Sequence, residues 1–125
     1  MSTSGADKTT LVIGASLNPA RFSYKAVSLL RSYGIPVRAI GLKPGSIAGV
    51  DIDTGTPAYR NIHTVTMYIN PKRQPAYYDY ILSLSPRRVI FNPGTGNPGF
   101  YAILFRHGIE VVENCTLVML RAGDY

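Results

Sequence analysis

The chain has a single cysteine, no long hydrophobic run and only seven acidic residues among its 125. One cysteine cannot form an internal disulfide, which is typical of the reducing cytoplasm, and we therefore expect a cytoplasmic protein. No stretch approaches the roughly 20 apolar residues that a membrane-spanning helix requires. The start of the chain also lacks the apolar core of a signal peptide. We interpret residues 1–8 as a flexible leader and residues 9–125 as one domain.

Acidic residues are scarce relative to the thirteen Lys and Arg, and the net charge is +6. The cations are scattered, with only short pairs at Lys72–Arg73 and Arg87–Arg88, so the basic stripe expected of a nucleic-acid-binding protein is missing. A solvated basic surface is the simplest interpretation, an acidic small ligand comes next, and nucleic acid is the third and unlikely choice.

Apolar residues alternate between strand-like and helix-like spacing along the chain. This alternation predicts a single α/β domain of three layers, with a doubly wound, mostly parallel sheet of five to six strands. Between the second and third of these strands we predict a loop over 46–61 with a short edge strand near 56–59. Asn97 and Asn114 are the predicted caps of the last two helices. The other predicted elements are strands over 10–13, 37–40, 65–69, 88–91 and 109–112, and helices over 23–33, 74–84, 98–108 and 115–120.

The first strand stops on three small residues, Gly14, Ala15 and Ser16, before the first helix. Any tight strand-to-helix turn favours small residues, but such a turn beside a helix N-terminus also makes a phosphate pocket. Three polar residues in the connection, Asn18, Arg21 and Ser23, strengthen the second interpretation. Arg21 can pair with a pyrophosphate, and Ser23 can cap the helix, donate to the ligand, or do both.

Lys43 follows the second strand, where an NAD site would place an acid to accept hydrogen bonds from the ribose. A cation there suits a ribose that bears a phosphate, as in coenzyme A or NADP. The alternative is an ordinary surface lysine.

Two proline-containing turns follow the third and fourth predicted strands, at the same edge of the sheet. Turn formation explains such residues by itself, yet these turns can also present amide groups to an adenine or to an extended ligand arm. Arg73, just beyond the first turn, can add charge. The turn residues that we count as candidate ligand-binding residues are Asn70, Pro71, Asn92, Pro93 and Gly94.

We predict no catalytic residue and no metal site. Cys115, His63 and His107 have no carboxylate or second thiol at catalytic or metal-ligand spacing. Asp51 and Asp53 are more typical of a turn than of a cation site. The predicted helix over 98–108 is apolar almost all round, which indicates either full burial or a subunit contact, so a homodimer is possible.

These residues together resemble the small, stand-alone coenzyme A-binding domain family, a Rossmann-like module also seen in the α-subunit of succinyl-CoA synthetase. The likeness extends from about Thr10 to Leu120. It implies that the Gly14 turn and Lys43 bind coenzyme A, and it implies no reaction. It also adds Tyr24, at the end of the first motif, to the candidate ligand-binding residues. The motifs that carry the resemblance are Val12-Ile13-Gly14-Ala15-Ser16-x-Asn18-Pro19-x-Arg21-x-Ser23-Tyr24, Gly41-x-Lys43-Pro44, Asn92-Pro93-Gly94-Thr95 and Gly108-Ile109-Glu110-Val111-Val112-x-x-Cys115.

Our first hypothesis is therefore a module that binds coenzyme A or an acyl-CoA. The alternative is an NADP- or other nucleotide-binding enzyme, a CoA-linked transferase, or a regulatory subunit. An NADP-dependent reductase is disfavoured because Gly-x-Gly-x-x-Gly is missing and the chain is too short for a second dinucleotide-binding half.

Overall fold

The computed structural model describes residues 7–125 and forms one seven-stranded sheet with helices on both faces. Most of the leader predicted for residues 1–8 lies outside the described residues. Lys8 lies within them, and its Nζ donates to the main-chain oxygen of Tyr125 at 2.8 Å. Among the described residues, no helix is long and apolar enough to cross a bilayer.

The predicted doubly wound, mostly parallel α/β sheet is confirmed. The predicted count of five to six strands is too low, because residues 45–53 contribute two strands and the sheet has seven. The spatial order of its strands is β3-β4-β2-β1-β5-β6-β7, and only the β3–β4 pair is antiparallel. The strands are β1 (Thr10–Ala15), β2 (Val37–Gly41), β3 (Gly45–Ile47), β4 (Val50–Asp53), β5 (Thr64–Met67), β6 (Arg88–Phe91) and β7 (Glu110–Glu113). The helices are α1 (Phe22–Ser32), α2 (Tyr78–Leu84), α3 (Pro98–Arg106) and α4 (Thr116–Ala122), with a 3-10 turn over Gln74–Tyr77 before α2.

Two apolar clusters cover the two faces of the sheet. One contains Ile81 of α2 and Phe100 and Leu104 of α3 against alternate residues of the central strands. The other contains Val27 and Leu30 of α1 and Leu120 of α4. Because the chain moves outward from β1 to β2 and β4, then returns to β5 on the other side of β1, the strand order reverses between β1 and β5.

The edge strand predicted near 56–59 is wrong. The stretch interpreted as a loop instead forms the β3–β4 hairpin, in which Ile47 pairs with Val50. Ala48 and Gly49, between them, have φ values of 49° and 80°, and two consecutive positive φ angles are typical of the turn that suits a two-residue hairpin. The burial of Ile47, Val50 and Ile52 holds this hairpin against the α1 side of the sheet.

The predicted caps of the last two helices have different outcomes. The Asn97 cap is confirmed: its Oδ1 accepts from Phe100 N at 3.1 Å, and Pro98 begins α3. For α4, Asn114 is not the cap, because the helix begins at Thr116 with Cys115 at the N-cap position. The Thr116 N–H donates instead to Oδ1 of Asn92, at 2.9 Å.

The sequence predicts that α3 is either fully buried or part of a subunit contact, and the structure shows that it is not fully buried. Phe100 and Leu104 are fully buried, whereas Phe105 is 82% exposed. One face of the helix therefore belongs to the core, and the other remains available to solvent or to another molecule.

Candidate functional site

A cavity of about 680 Å³ opens at the carboxyl edge of the sheet, around the point where the strand order reverses. Its walls come from the segments that follow β1, β2, β5 and β6. Ligands of doubly wound sheets bind at this position. Nine of the predicted site residues line this cavity: Gly14, Ala15, Ser16, Asn18, Arg21, Ser23, Lys43, Arg73 and Pro93.

Gly14 lies in a bulge of β1, where the pairing with β2 shifts between Ile13 and Ala15. Its φ is +98°, and a Cβ placed there would come within 2.9 Å of Ile69 Cγ2 and 3.0 Å of the Tyr68 carbonyl carbon. Only glycine combines this conformation with so close an approach to the neighbouring segment. The bulge therefore sets the floor of the cavity at the end of β1.

The connection from β1 to α1 is organised by Asn18. Its N–H donates to Oγ of Ser16 at 3.1 Å, its Oδ1 accepts from Ala20 N at 3.0 Å, and its carbonyl oxygen accepts from Arg21 N at 3.0 Å. These three bonds fold the loop into a compact turn that brings the start of α1 to the cavity. Asn18 thus shapes the loop through its own turn.

The N-terminus of α1 has no side-chain cap. The helix begins at Phe22, Arg21 occupies the N-cap position without a capping hydrogen bond, and the first turn holds no acidic residue. The predicted capping role of Ser23 is therefore wrong, because Ser23 is the second residue of the helix, buried and lining the cavity. The first N–H groups of a helix have no partner within the helix, so this end offers donors and a positive dipole to an anion.

The charge around the cavity has one sign. Arg21, Lys43 and Arg73 line it, and no Asp or Glu does so among the described residues. All three cations are exposed side chains, each on a different loop. A cavity with these cations and an uncapped helix N-terminus favours a ligand with several negative charges.

The remaining predicted residues lie outside the cavity lining. Tyr24 lies on the other side of α1, in a shallow groove with Lys25 and Arg121. Asn70 Oδ1 accepts from Arg73 N at 3.2 Å and so shapes the turn in which Pro71 stands. Gly94 is an exposed turn residue with a φ of 87°.

Asn92 is buried, and its side chain is occupied by the protein itself. Its Nδ2 donates to Thr66 Oγ1 at 2.7 Å and to the Met67 carbonyl at 2.9 Å, while its Oδ1 accepts from Thr116 N. These bonds join β5, β6 and α4 beneath the cavity. The Asn92 side chain therefore links these three elements to one another.

A second polar network, centred on Gln74, fixes the wall formed by the loops after β5 and β6. Gln74 is fully buried; its Nε2 donates to the carbonyls of Ile69 at 3.0 Å and Thr95 at 2.8 Å. Its Oε1 accepts from Nδ2 of Asn97 at 2.9 Å. Ile69 and Thr95 themselves line the cavity, so this network sets its width.

Sequence reasoning missed the apolar part of the lining. Three of these residues are exposed hydrophobic side chains at the mouth: Leu17 at 46%, Phe22 at 65% and Leu42 at 74%. A signal was present for Leu17 and Leu42, since each stands in a polar loop beside a candidate ligand-binding residue. The other missed lining residues are Ile40, Gly41, Tyr68, Ile69, Tyr77 and Thr95.

Tyr68 contributes its ring to the lining, while its hydroxyl is buried without a hydrogen-bond partner among the described residues. Burial raises the pKa of Tyr68 above its ordinary value, so the hydroxyl stays protonated. Nearby, the hydroxyls of Thr66 and Thr116 bond to each other at 2.8 Å. Within residues 7–125, no group of three or more His, Cys, Asp and Glu side chains is placed to hold a metal ion.

The fold and the position of the cavity define the class: this is a Rossmann-like α/β protein with its cavity at the reversal of strand order. The chain belongs to the family of CoA binding domains, whose family model matches residues 8–121.

Solved structures agree with this fold. The crystal structure of an uncharacterized protein is 47% identical, with a TM-score of 0.92 and coverage of 94% of this chain and 98% of that one. A protein described as cell-free ID.343 from Thermus thermophilus is 21% identical, with a TM-score of 0.83 over 94% of this chain and 90% of that one. A hypothetical protein from Pyrococcus horikoshii OT3 is 20% identical, with a TM-score of 0.83 over 92% and 82% of the two chains. The curated proteins contain no significant match.

Proposed function

We propose that this protein binds coenzyme A or an acyl-CoA in the cavity at the carboxyl edge of its sheet. The observation that carries the proposal is the position of two cations, Arg21 and Lys43, in a cavity with no acidic lining residue among those described, beside an uncapped helix N-terminus. Coenzyme A carries a pyrophosphate and a ribose 3′-phosphate, and is therefore a polyanion at one end. Membership of the CoA binding domain family supports the same ligand.

The proposed orientation follows from the loops that hold the cations. The pyrophosphate lies at the start of α1, where main-chain N–H groups and Arg21 are available. Lys43 follows β2, on one side of α1, and receives the 3′-phosphate. The uncharged pantetheine arm then runs along the ends of β5 and β6, past Tyr68 and Thr95.

We infer that the protein is a cytoplasmic binding module, which acts by holding coenzyme A or its thioester. The groups lining the cavity suit binding: cations, main-chain N–H groups and apolar side chains. Phe105, exposed on α3, marks the surface where a homodimer contact would be sought.

Thermal denaturation with a panel of ligands tests this function, since a ligand that binds the folded state raises the melting temperature by mass action. Coenzyme A and acetyl-CoA are expected to raise it, and NAD and ATP to raise it less at equal concentration. NADP, which also has a phosphorylated ribose, tests the nucleotide-binding enzyme alternative. A larger shift with NADP than with coenzyme A would contradict the proposal.

The role of Lys43 has a sharper test. Lys43→Glu is expected to weaken coenzyme A by roughly tenfold or more, because a cation beside the 3′-phosphate is replaced by an anion. Dephospho-coenzyme A, which lacks that phosphate, should lose much less. Arg106→Glu at the far end of α3 carries the same charge change away from the cavity and serves as the control. Equal losses for the two ligands would remove Lys43 from the site.

A further inference from the structure

Arg73 is a cation on the opposite side of the cavity from Lys43. Lys43 follows β2, α1 follows β1, and Arg73 follows β5. Since the spatial order is β2-β1-β5, the start of α1 lies between the two cations. Neighbouring strands are about 4.8 Å apart, so the strand ends that precede the two cations are separated by roughly 10 Å.

Hydrogen bonds fix the backbone of the loop around Arg73, while the side chain of Arg73 is free to contact a ligand. Arg73 N donates to the carbonyl oxygen of Asn70 at 3.0 Å and to its Oδ1 at 3.2 Å. The next residue, Gln74, is anchored in the buried network described above. The Arg73 side chain is exposed, and within residues 7–125 its guanidinium makes no ion pair. A fixed backbone with an unpaired guanidinium facing a cavity is arranged to meet an anion of the ligand.

The charges of coenzyme A do not account for this cation. In the proposed orientation the pyrophosphate lies at α1 and the 3′-phosphate at Lys43. The part of the ligand that extends past β5 is the uncharged pantetheine arm. The neighbours of Arg73 in the lining, Ile69, Tyr77 and Thr95, provide no carboxylate either. If an anion of the ligand pairs with Arg73, it therefore belongs to the acyl group.

We propose that Arg73 binds a carboxylate carried by the acyl group, so that the preferred ligands are acyl-CoA thioesters with a terminal carboxylate. This inference rests on the proposed function and on the orientation given there. Arg73 is thus a specificity-determining residue, since a planar guanidinium matches a carboxylate with two parallel hydrogen bonds.

Calorimetric titration with matched thioesters tests the inference. Malonyl-, succinyl- and glutaryl-CoA are compared with propionyl-, butyryl- and valeryl-CoA, whose acyl groups have the same carbon counts and lack the free terminal carboxylate. We expect at least one carboxylated member to bind about tenfold more tightly than its uncharged match. Arg73→Gln should abolish that difference, because it weakens the carboxylated thioester about tenfold more than it weakens unacylated coenzyme A. Lys72→Gln, the adjacent exposed cation outside the lining, should leave the preference intact.

The outcomes separate the two proposals. If thioesters with carboxylated and with uncharged acyl groups bound equally well, and coenzyme A still bound, only the role of Arg73 would be overturned. A comparable loss of unacylated coenzyme A in Arg73→Gln would also overturn it, by assigning the guanidinium to a phosphate. If no thioester and no coenzyme A bound, both proposals would fall. Thermal denaturation of each variant without ligand shows whether it is folded.

Discussion

Replacing Gln74 tests whether the buried polar network sets the shape of the cavity. The side chain is fully buried and makes three hydrogen bonds, to Ile69 O, Thr95 O and Asn97 Nδ2. Gln74→Met keeps the length of the side chain and removes these bonds. The carbonyl oxygens of Ile69 and Thr95 then lose this donor, whereas Asn97 Nδ2 keeps its hydrogen bond to the Tyr78 hydroxyl. At about 1 kcal/mol or more for each of the two carbonyl groups, the free energy of unfolding should fall by about 2–3 kcal/mol. Gln74→Ala should cost about 1–2 kcal/mol more, since it also leaves a cavity.

Urea denaturation followed by circular dichroism measures this change. A domain of this size has about 5–15 kcal/mol of stability, so Gln74→Met should still fold and can be titrated with coenzyme A. We expect weaker binding, because the segments after β5 and β6, which line the proposed path of the pantetheine arm, lose their common anchor. An unfolding free energy within about 1 kcal/mol of the unaltered protein, with unchanged affinity, would refute the assigned role of the network.

Two further predictions concern a glycine and a histidine. Gly14→Ala should be more destabilising than Gly49→Ala by about 1–3 kcal/mol, because both have positive φ but only Gly14 has atoms within 3.0 Å of an added Cβ; equal losses in urea denaturation would contradict this. Burial, with the nearby Arg88, lowers the pKa of His63 from its ordinary value of 6.5, so the unfolded chain binds the proton first as pH falls. The stability contributed by neutral His63 is thus fully present above pH 6.5 and decreases below it. Between pH 7 and 5, the unfolding free energy of His63→Asn should therefore decrease less than that of the unaltered protein. Identical slopes against pH would contradict the assignment.

The elements that local patterns specify were predicted well. The β1 turn and α1 follow from a β-branched run, three small residues and an amphipathic stretch. The Asn97 cap follows from an asparagine directly before a proline that begins a helix. Lys43 lies in the cavity lining because parallel strands that end together bring their following loops to one edge. Each of these depends on neighbours in sequence or on the general rule for such sheets.

The features that sequence reasoning missed depend on contacts between distant segments. Asn92 follows a strand as a ligand-binding asparagine would, yet its amide meets β5 and the Thr116 N–H, 24 residues away. The β3–β4 hairpin was missed because its turn uses Ala48 at positive φ, a position where glycine or asparagine is the usual signal. Gln74 gave no signal at all, since its three partners come together only after β5 and β6 pair.

The crystal structure of the complex with coenzyme A tests the central claim most directly. We expect the pyrophosphate within about 3 Å of main-chain N–H groups at the start of α1, and the 3′-phosphate beside Lys43. Coenzyme A bound away from the loops after β1 and β2, or bound there with its phosphates pointing into solvent, would contradict it.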